Sequence, residues 1–151
     1  MRLIARIVNW SRLLLVTAIV FYVGYDIVST LAAYNFLGSF EYEKSYFIKT
    51  AFDLAGLPGF VALKIGMSAL ALAAAYVLME YYHRLRTFGA GILAGASVAG
   101  LFVGTSNFNI LVNGSSIWLF GLDSGTVAAI IIVLFAVAGL LLTQSRPVKS
   151  V

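Results

Sequence analysis

The chain has 151 residues, of which 62% are hydrophobic and 11% are charged, and its net charge is +4. An ordinary soluble domain is roughly a quarter charged, so this composition and the mean hydropathy of +0.99 indicate an integral membrane protein. The chain has no cysteine and a single histidine. Disulfides, thiolate chemistry, Cys-based metal sites and multi-histidine zinc or haem sites within one chain are therefore excluded, and we expect no cofactor.

Four apolar runs of membrane-spanning length follow one another along the chain. A transmembrane helix needs about 20 apolar residues. We predict spans over residues 12–36, 57–81, 88–111 and 125–143, which together form a single transmembrane domain over residues 1–151. The predicted fold is therefore an all-α integral membrane protein, a four-helix transmembrane bundle.

The segment between the first two predicted spans is the most polar part of the chain. We predict a short interfacial helix over residues 45–55, because Phe47, Ile48 and Phe52 fall on one helical face. Gly56 and Pro58 follow it, and both residue types are typical of the end of a helix. The fold thus gains one short helix between spans one and two.

The distribution of basic residues predicts the orientation of the chain. Four spans put seven of them on one side, Arg2, Arg6, Arg12, Arg84, Arg86, Arg146 and Lys149, and two on the other, Lys44 and Lys49. Cytoplasmic segments are enriched in lysine and arginine. We therefore expect a multi-pass protein of the cell (plasma) membrane with cytoplasmic N- and C-termini. The basic residues report topology, so no nucleic-acid partner is expected.

Two ionisable residues lie inside the predicted spans. At 1.5 Å per residue, Asp26 lies about 20 Å up a hydrocarbon core about 30 Å thick, and Lys64 lies about 10 Å below its outer face. Both residues are therefore expected at one level of the outer half. A charge inside the bilayer is costly unless it is paired, so we predict that Asp26 and Lys64 form an intramembrane ion pair.

Other polar residues fall at the same predicted level. The expected polar cluster comprises Asp26, Lys64, Asn107, Thr30, Asn35 and, from the loop, Glu43. Such a cluster is either a binding or transport site in an outward-facing pocket, or a structural device that fixes helix register. The sequence leaves both interpretations open.

The third predicted span is rich in small residues. Gly91 and Gly95 form a Gly-x-x-x-Gly pair, and Gly100 and Gly104 repeat this spacing. Small residues at this interval let two helix backbones approach closely. We predict that these four glycines are helix-packing positions.

Several of these motifs resemble a family of small prokaryotic multi-span membrane proteins grouped as a domain of unknown function. The resemblance covers roughly residues 20–112 and rests on Asp26-Ile-Val-Ser-Thr30, the acidic Glu41–Glu43 loop, Gly-Phe-Val-Ala-Leu-Lys ending at Lys64, and Ser106-Asn107. In that family an Asp-x-x-Thr-Thr-like motif, a Glu-x-Asn-Pro-like loop and a lysine in the next span recur. This chain has Ser29-Thr30 for Thr-Thr and lacks the Asn-Pro. The resemblance implies a shared four-helix fold and polar cluster, and no activity.

Two classes of function fit these observations. The first is a structural or accessory subunit of a membrane complex, with membrane lipids and other subunits or further copies of the chain as partners. The alternative is a small oligomeric transporter, channel or lipid-binding protein that uses an outward-facing polar pocket around Asp26 and Lys64. An enzyme is disfavoured, because the spans contain no Ser–His arrangement, no paired aspartates and no His-Glu-x-x-His motif.

Overall fold

A computed structural model of the chain describes residues 9–39 and 46–144. Every regular element in these residues is helical. Four of the described helices are long and apolar enough to cross a membrane, and they cover Trp10–Leu37, Tyr46–Tyr81, His83–Asn113 and Ser124–Thr143. The predicted all-helical architecture and the number of apolar helices are therefore confirmed.

The first long helix is built from three segments. Helix α1 covers Trp10–Ala18, a π-helix covers Ile19–Tyr25, and α2 covers Asp26–Leu37. The side chain of Asn9 accepts the first free backbone N–H groups of α1, which is the usual role of an N-cap residue. Helix α2 ends at Gly38, whose φ of +68° is the left-handed conformation that glycine adopts without steric cost.

Helix α3, Tyr46–Tyr81, contains a sharp kink. The backbone at Gly56 has φ +61° and ψ −153°, a conformation that in practice only glycine adopts. Pro58 follows in the first turn of the new helical direction, where its missing N–H group is tolerated. Residues 46–54 thus form a short helix at the place of the predicted interfacial helix, and residue 45 lies outside the described residues.

The short helix packs against the bundle through apolar side chains. Ile48 and the fully buried Phe60 form a small core with Phe52 and with Tyr34 of α2. The rings of Tyr34 and Phe52 meet edge to face, with centroids 5.5 Å apart. The kink at Gly56 therefore returns residues 46–54 to the end of α2, and the position of this helix at a membrane surface stays a prediction.

The central helix of the bundle is α4, Arg86–Asn113, which follows a short 3₁₀ turn, His83–Leu85. Its most apolar window is 44% buried, whereas the windows of the other three long helices are at most 22% buried. Leu93 and Ala96 of α4 form the main core with Ala18 of α1 and with Leu72 and Ala75 of α3. Helix α5, Ser124–Gln144, packs along α4 from the other side.

A short ordered connection joins α4 to α5. Ile117 donates its backbone N–H to the buried hydroxyl of Ser106 at 2.9 Å. The tip of the connection is a turn in which Phe120 and Gly121 both have positive φ, +53° and +77°. Asp123 then caps α5, because its carboxylate accepts the backbone N–H groups of the first turn at 3.0 Å.

Candidate functional site

An ion pair lies between α2 and α3. Asp26 is the first residue of α2, and its Oδ2 atom lies 2.8 Å from Nζ of Lys64. The side chains of Lys64 and Asp26 are 15% and 10% exposed, respectively. Two opposite charges at this distance and this burial neutralise each other where water is nearly excluded.

Two hydroxyl groups one turn further along α2 bond to Asp26. Thr30 donates to the backbone carbonyl of Asp26 at 2.7 Å and approaches its Oδ1 atom at 3.3 Å. Ser29 donates to the same carbonyl at 3.0 Å. Both hydroxyl residues are almost completely buried. Of the two, only Thr30 also supplies a polar contact to the carboxylate itself, which needs such contacts in an apolar environment.

Asn107 brings the central helix α4 into the cluster. Its Nδ2 atom lies 3.0 Å from Thr30 Oγ1, 3.1 Å from Ser29 Oγ and 3.5 Å from Asp26 Oδ1. The cluster formed by Asp26, Ser29, Thr30, Lys64 and Asn107 thus connects α2, α3 and α4. We call it the polar cluster.

The ammonium group of Lys64 has a mixed environment. Besides Asp26, it lies 3.4 Å from Thr30 Oγ1 and 5.2 Å from the centre of the Phe60 ring. A cation over an aromatic face is attracted by the ring quadrupole. Phe60 is itself covered by Ile48 of the short helix. Residues 46–54 therefore contribute indirectly to the burial of the ion pair.

The π-helix determines which side of the first helix carries Asp26. Each residue of an α-helix turns the chain by about 100°, and a π-helix with i to i+5 hydrogen bonds changes this phase. The π-helix ends at Tyr25, so α2 and its first residue Asp26 are rotated relative to α1. π-Helical segments in proteins are rare and often occur at functional sites.

Two glycines of α4 allow the π-helix to approach. A Cβ atom at Gly100 would lie 2.5 Å from the backbone of Phe21, and one at Gly104 would overlap the ring of Tyr25. Glycine at these two positions thus permits the contact that brings α4, and with it Asn107, next to Asp26. The close packing and the polar cluster are two parts of one interface.

The other two predicted packing glycines face a different helix. A Cβ atom at Gly91 would overlap the backbone of Phe135 in α5, and one at Gly95 would lie 3.0 Å from Cα of Ile132. The five-residue step from Gly95 to Gly100 turns the glycine row to another side of α4, since five steps end about 140° past a whole turn and four steps only about 40° past it. The glycines therefore occupy two faces of the central helix.

The structure brings together four of the six residues predicted for the polar cluster: Asp26, Lys64, Asn107 and Thr30. Asn35 is exposed near the end of α2, and within the described residues it has no hydrogen bond to the cluster. Nine residues separate it from Asp26, about two and a half helical turns, which puts it on the opposite side of α2. The expectation for Asn35 is therefore wrong. Glu43 lies outside the described residues.

Sequence reasoning overlooked one member of the site's surroundings, Phe60. The signal was present, because Phe60 and Lys64 are four residues apart and side chains at this spacing are neighbours on a helix. The π-helix, by contrast, has no recognisable sequence signal in residues 19–25. The position of Asp26 on its helix could not be predicted without it.

Comparison with protein-family models, curated proteins and solved structures gives no match to this chain. The resemblance to a family of small prokaryotic membrane proteins rests on its short motifs and stays a prediction. Function must therefore be inferred from the geometry.

Proposed function

We propose that the chain is a multi-pass protein of the cell membrane, with both termini in the cytoplasm, that serves as a structural or accessory subunit of a membrane complex. The four long apolar helices support the membrane assignment. The excess of basic residues at the termini and between spans two and three supports the orientation.

The observation that carries the proposal is that the Asp26 carboxylate is paired within the polar cluster. Both oxygens of the Asp26 carboxylate have partners, one in Lys64 and the other in Thr30 and Asn107. A substrate that bound here would have to replace these contacts in a site where water is scarce. The arrangement fits a connection between three helices better than a site that exchanges ligands.

The outer surface supports the same proposal. Helix α5 packs on α4 and, at one end, on the 3₁₀ turn, within the described residues, and its remaining surface is apolar. Val133, Leu134 and Leu141 are each more than half exposed. In a membrane such side chains contact lipid tails or the helices of other subunits.

Blue-native electrophoresis of the epitope-tagged chain, extracted from its own membranes with a mild detergent, tests the proposal. We expect migration in a complex that contains other polypeptides, identified by mass spectrometry of the excised band. Migration as a monomer or a small homo-oligomer would contradict it.

The double variant Asp26→Asn/Lys64→Met should assemble normally if the ion pair only connects helices, and Asp53→Asn/Lys49→Met is the matched exposed control.

A small oligomeric transporter, channel or lipid-binding protein is the second candidate, and the π-helix that ends next to Asp26 favours it. Lys64 adds a reason, because an ammonium group has three donors and two oxygen atoms of the described residues are within its reach. This candidate requires the charges themselves. A folded double variant Asp26→Asn/Lys64→Met would then lose the cellular function, whereas full function in that variant would eliminate the candidate.

A further inference from the structure

A second polar feature lies far from the polar cluster, at the end of the bundle where α1 and α4 begin and α3 ends. A half-open cavity of about 250 Å³ is found there, lined by Trp10, Ser11, Met79, Arg86 and Thr87 among others. The basic residues Arg12 and Arg84 occur at the same end of the bundle. Neither the ion pair nor the proposed function uses this cavity.

One polar side chain in the cavity wall has no partner. Ser11 is 7% exposed, and within the described part of the chain its hydroxyl group makes no hydrogen bond. No fully enclosed side-chain oxygen or nitrogen of the described residues is unsatisfied, so the Ser11 hydroxyl reaches free space. Since Ser11 lines the cavity, that free space is the cavity. The Ser11 hydroxyl is therefore a free donor that a ligand atom in the cavity, or a water molecule, can accept.

The remaining polar groups of the cavity select for negative charge. Arg86 carries a permanent positive charge with five N–H donors. It is also the first residue of α4, a helix of 28 residues whose N-cap residue Leu85 provides no side-chain cap. The start of a helix carries partial positive charge, although the backbone N–H of Arg86 itself donates to the carbonyl of His83 in the preceding 3₁₀ turn. Among the described residues, no carboxylate lines the cavity.

The apolar part of the wall indicates what is attached to the anion. Leu14, Met79 and Ala90 line the cavity beside Arg86. Trp10 stands at its edge and is 73% exposed, as expected for an aromatic residue at the level of lipid headgroups. In the orientation proposed above this end of the bundle is cytoplasmic, and basic cavities between helices on that side of a membrane are suited to phosphate headgroups.

We propose that this cavity is a phosphate-binding site whose occupant is the headgroup of an anionic phospholipid. The guanidinium group of Arg86 and the start of α4 hold the phosphate, and the hydroxyl of Ser11 donates to one of its oxygens. Leu14 and Met79 contact the glycerol and the first methylene groups. The site joins α1, α3 and α4 at the end of the bundle opposite the polar cluster.

The test uses native mass spectrometry of the full chain in a neutral detergent, with phosphatidylglycerol or phosphatidylcholine added in equal amounts. We expect one saturable phosphatidylglycerol site with at least tenfold preference over phosphatidylcholine. Arg86→Ala should weaken binding by about tenfold or more, since it removes a charge-assisted hydrogen bond. Arg84 and Arg86 are both exposed, but only Arg86 lines the cavity. The matched control Arg84→Ala should therefore change binding by less than about threefold.

A second pair of variants tests the role of Ser11. Ser11→Ala removes the hydroxyl and should weaken binding several-fold, and Ser11→Leu should block the site by filling it. Circular dichroism establishes that each variant is folded. If Ser11→Leu does not fold, the result of Ser11→Ala alone decides the test. Equal phosphatidylglycerol binding by the wild type, Arg86→Ala and Ser11→Ala would overturn the proposal.

Inorganic phosphate distinguishes the two sources of the anion. Competition by millimolar phosphate against phosphatidylglycerol supports the phosphate site with a lipid as its occupant. Saturable binding of inorganic phosphate without any lipid preference would keep the phosphate site and assign it to a soluble anion. Binding of phosphatidylcholine as tight as that of phosphatidylglycerol would refute a charge-selective site altogether.

Discussion

The ion pair between Asp26 and Lys64 allows a quantitative prediction about stability. Replacing Lys64 with methionine keeps the length of the side chain and removes its charge. The carboxylate of Asp26, 10% exposed, would lose the partner at 2.8 Å. It would keep only the long contacts of Oδ1 with Thr30 at 3.3 Å and Asn107 at 3.5 Å. An uncompensated buried charge costs about 3–5 kcal/mol, and we expect a loss near the lower limit because these contacts remain.

The two single variants and the double variant form a thermodynamic cycle. Asp26→Asn leaves the Lys64 ammonium with Thr30 and the Phe60 ring, so we expect a loss of about 2–3 kcal/mol. The double variant Asp26→Asn/Lys64→Met contains no buried charge at this position. Since such neutral replacements are often harmless, its free energy of unfolding should lie within about 1–2 kcal/mol of the wild type. The coupling energy between the two positions is then at least about 3 kcal/mol.

The cycle is measured as the free energy of unfolding in mixed micelles, with sodium dodecyl sulfate as the denaturant and the loss of ellipticity as the signal. Asp53→Asn and Lys49→Met are matched controls, because both residues are exposed. Each control should change the free energy by no more than about 0.5 kcal/mol. If the double variant loses as much stability as the sum of the single variants, the two charges are not coupled and the reasoning is refuted.

Three further predictions concern the backbone. Gly100→Ala should destabilise the protein by about 1–3 kcal/mol, because its Cβ would meet the backbone of the π-helix. The control Gly66→Ala should be neutral or stabilising, because its Cβ would have no atom within 4 Å, and equal losses of unfolding free energy in the two variants would contradict this reasoning. Phe120→Asn should raise the melting temperature, because asparagine tolerates the φ of +53° and relieves about 1 kcal/mol of backbone strain. An unchanged or lower melting temperature would argue against strain at position 120. Asp123→Ala should lower the free energy of unfolding by about 1 kcal/mol, because it removes the N-terminal cap of α5. Hydrogen exchange should show weaker protection of the first turn of α5, and protection equal to that of the wild type would contradict the role of Asp123 as a cap.

The depth of each polar residue along its helix could be predicted from the sequence, whereas the direction of its side chain could be predicted only in part. The rise per residue of a helix is constant, so Asp26 and Lys64 could be assigned to one depth by counting from the ends of their spans. The direction of a side chain depends in addition on the helical phase. For Asn35 the phase relative to Asp26 follows from the nine residues between them, and it puts Asn35 on the exposed side of α2, away from the cluster.

The glycines of α4 show a second limit of the same kind. Their spacing predicts close packing because a missing side chain lets any backbone approach. Which backbone approaches is not encoded in the spacing. Gly91 and Gly95 contact α5, whereas Gly100 and Gly104 contact the π-helix, and this division depends on where those helices lie around α4.

By itself, the sequence determined the class of this protein. Over residues 9–39 and 46–144 its regular structure is helical and includes four helices long and apolar enough to cross a membrane, because hydropathy and helix length are properties of each segment alone. The tertiary structure decided which polar groups meet. The contact of α4 with the π-helix before Asp26 and the cavity around Ser11 join segments that are distant in the chain, and such contacts leave no periodic signal in the residues that make them.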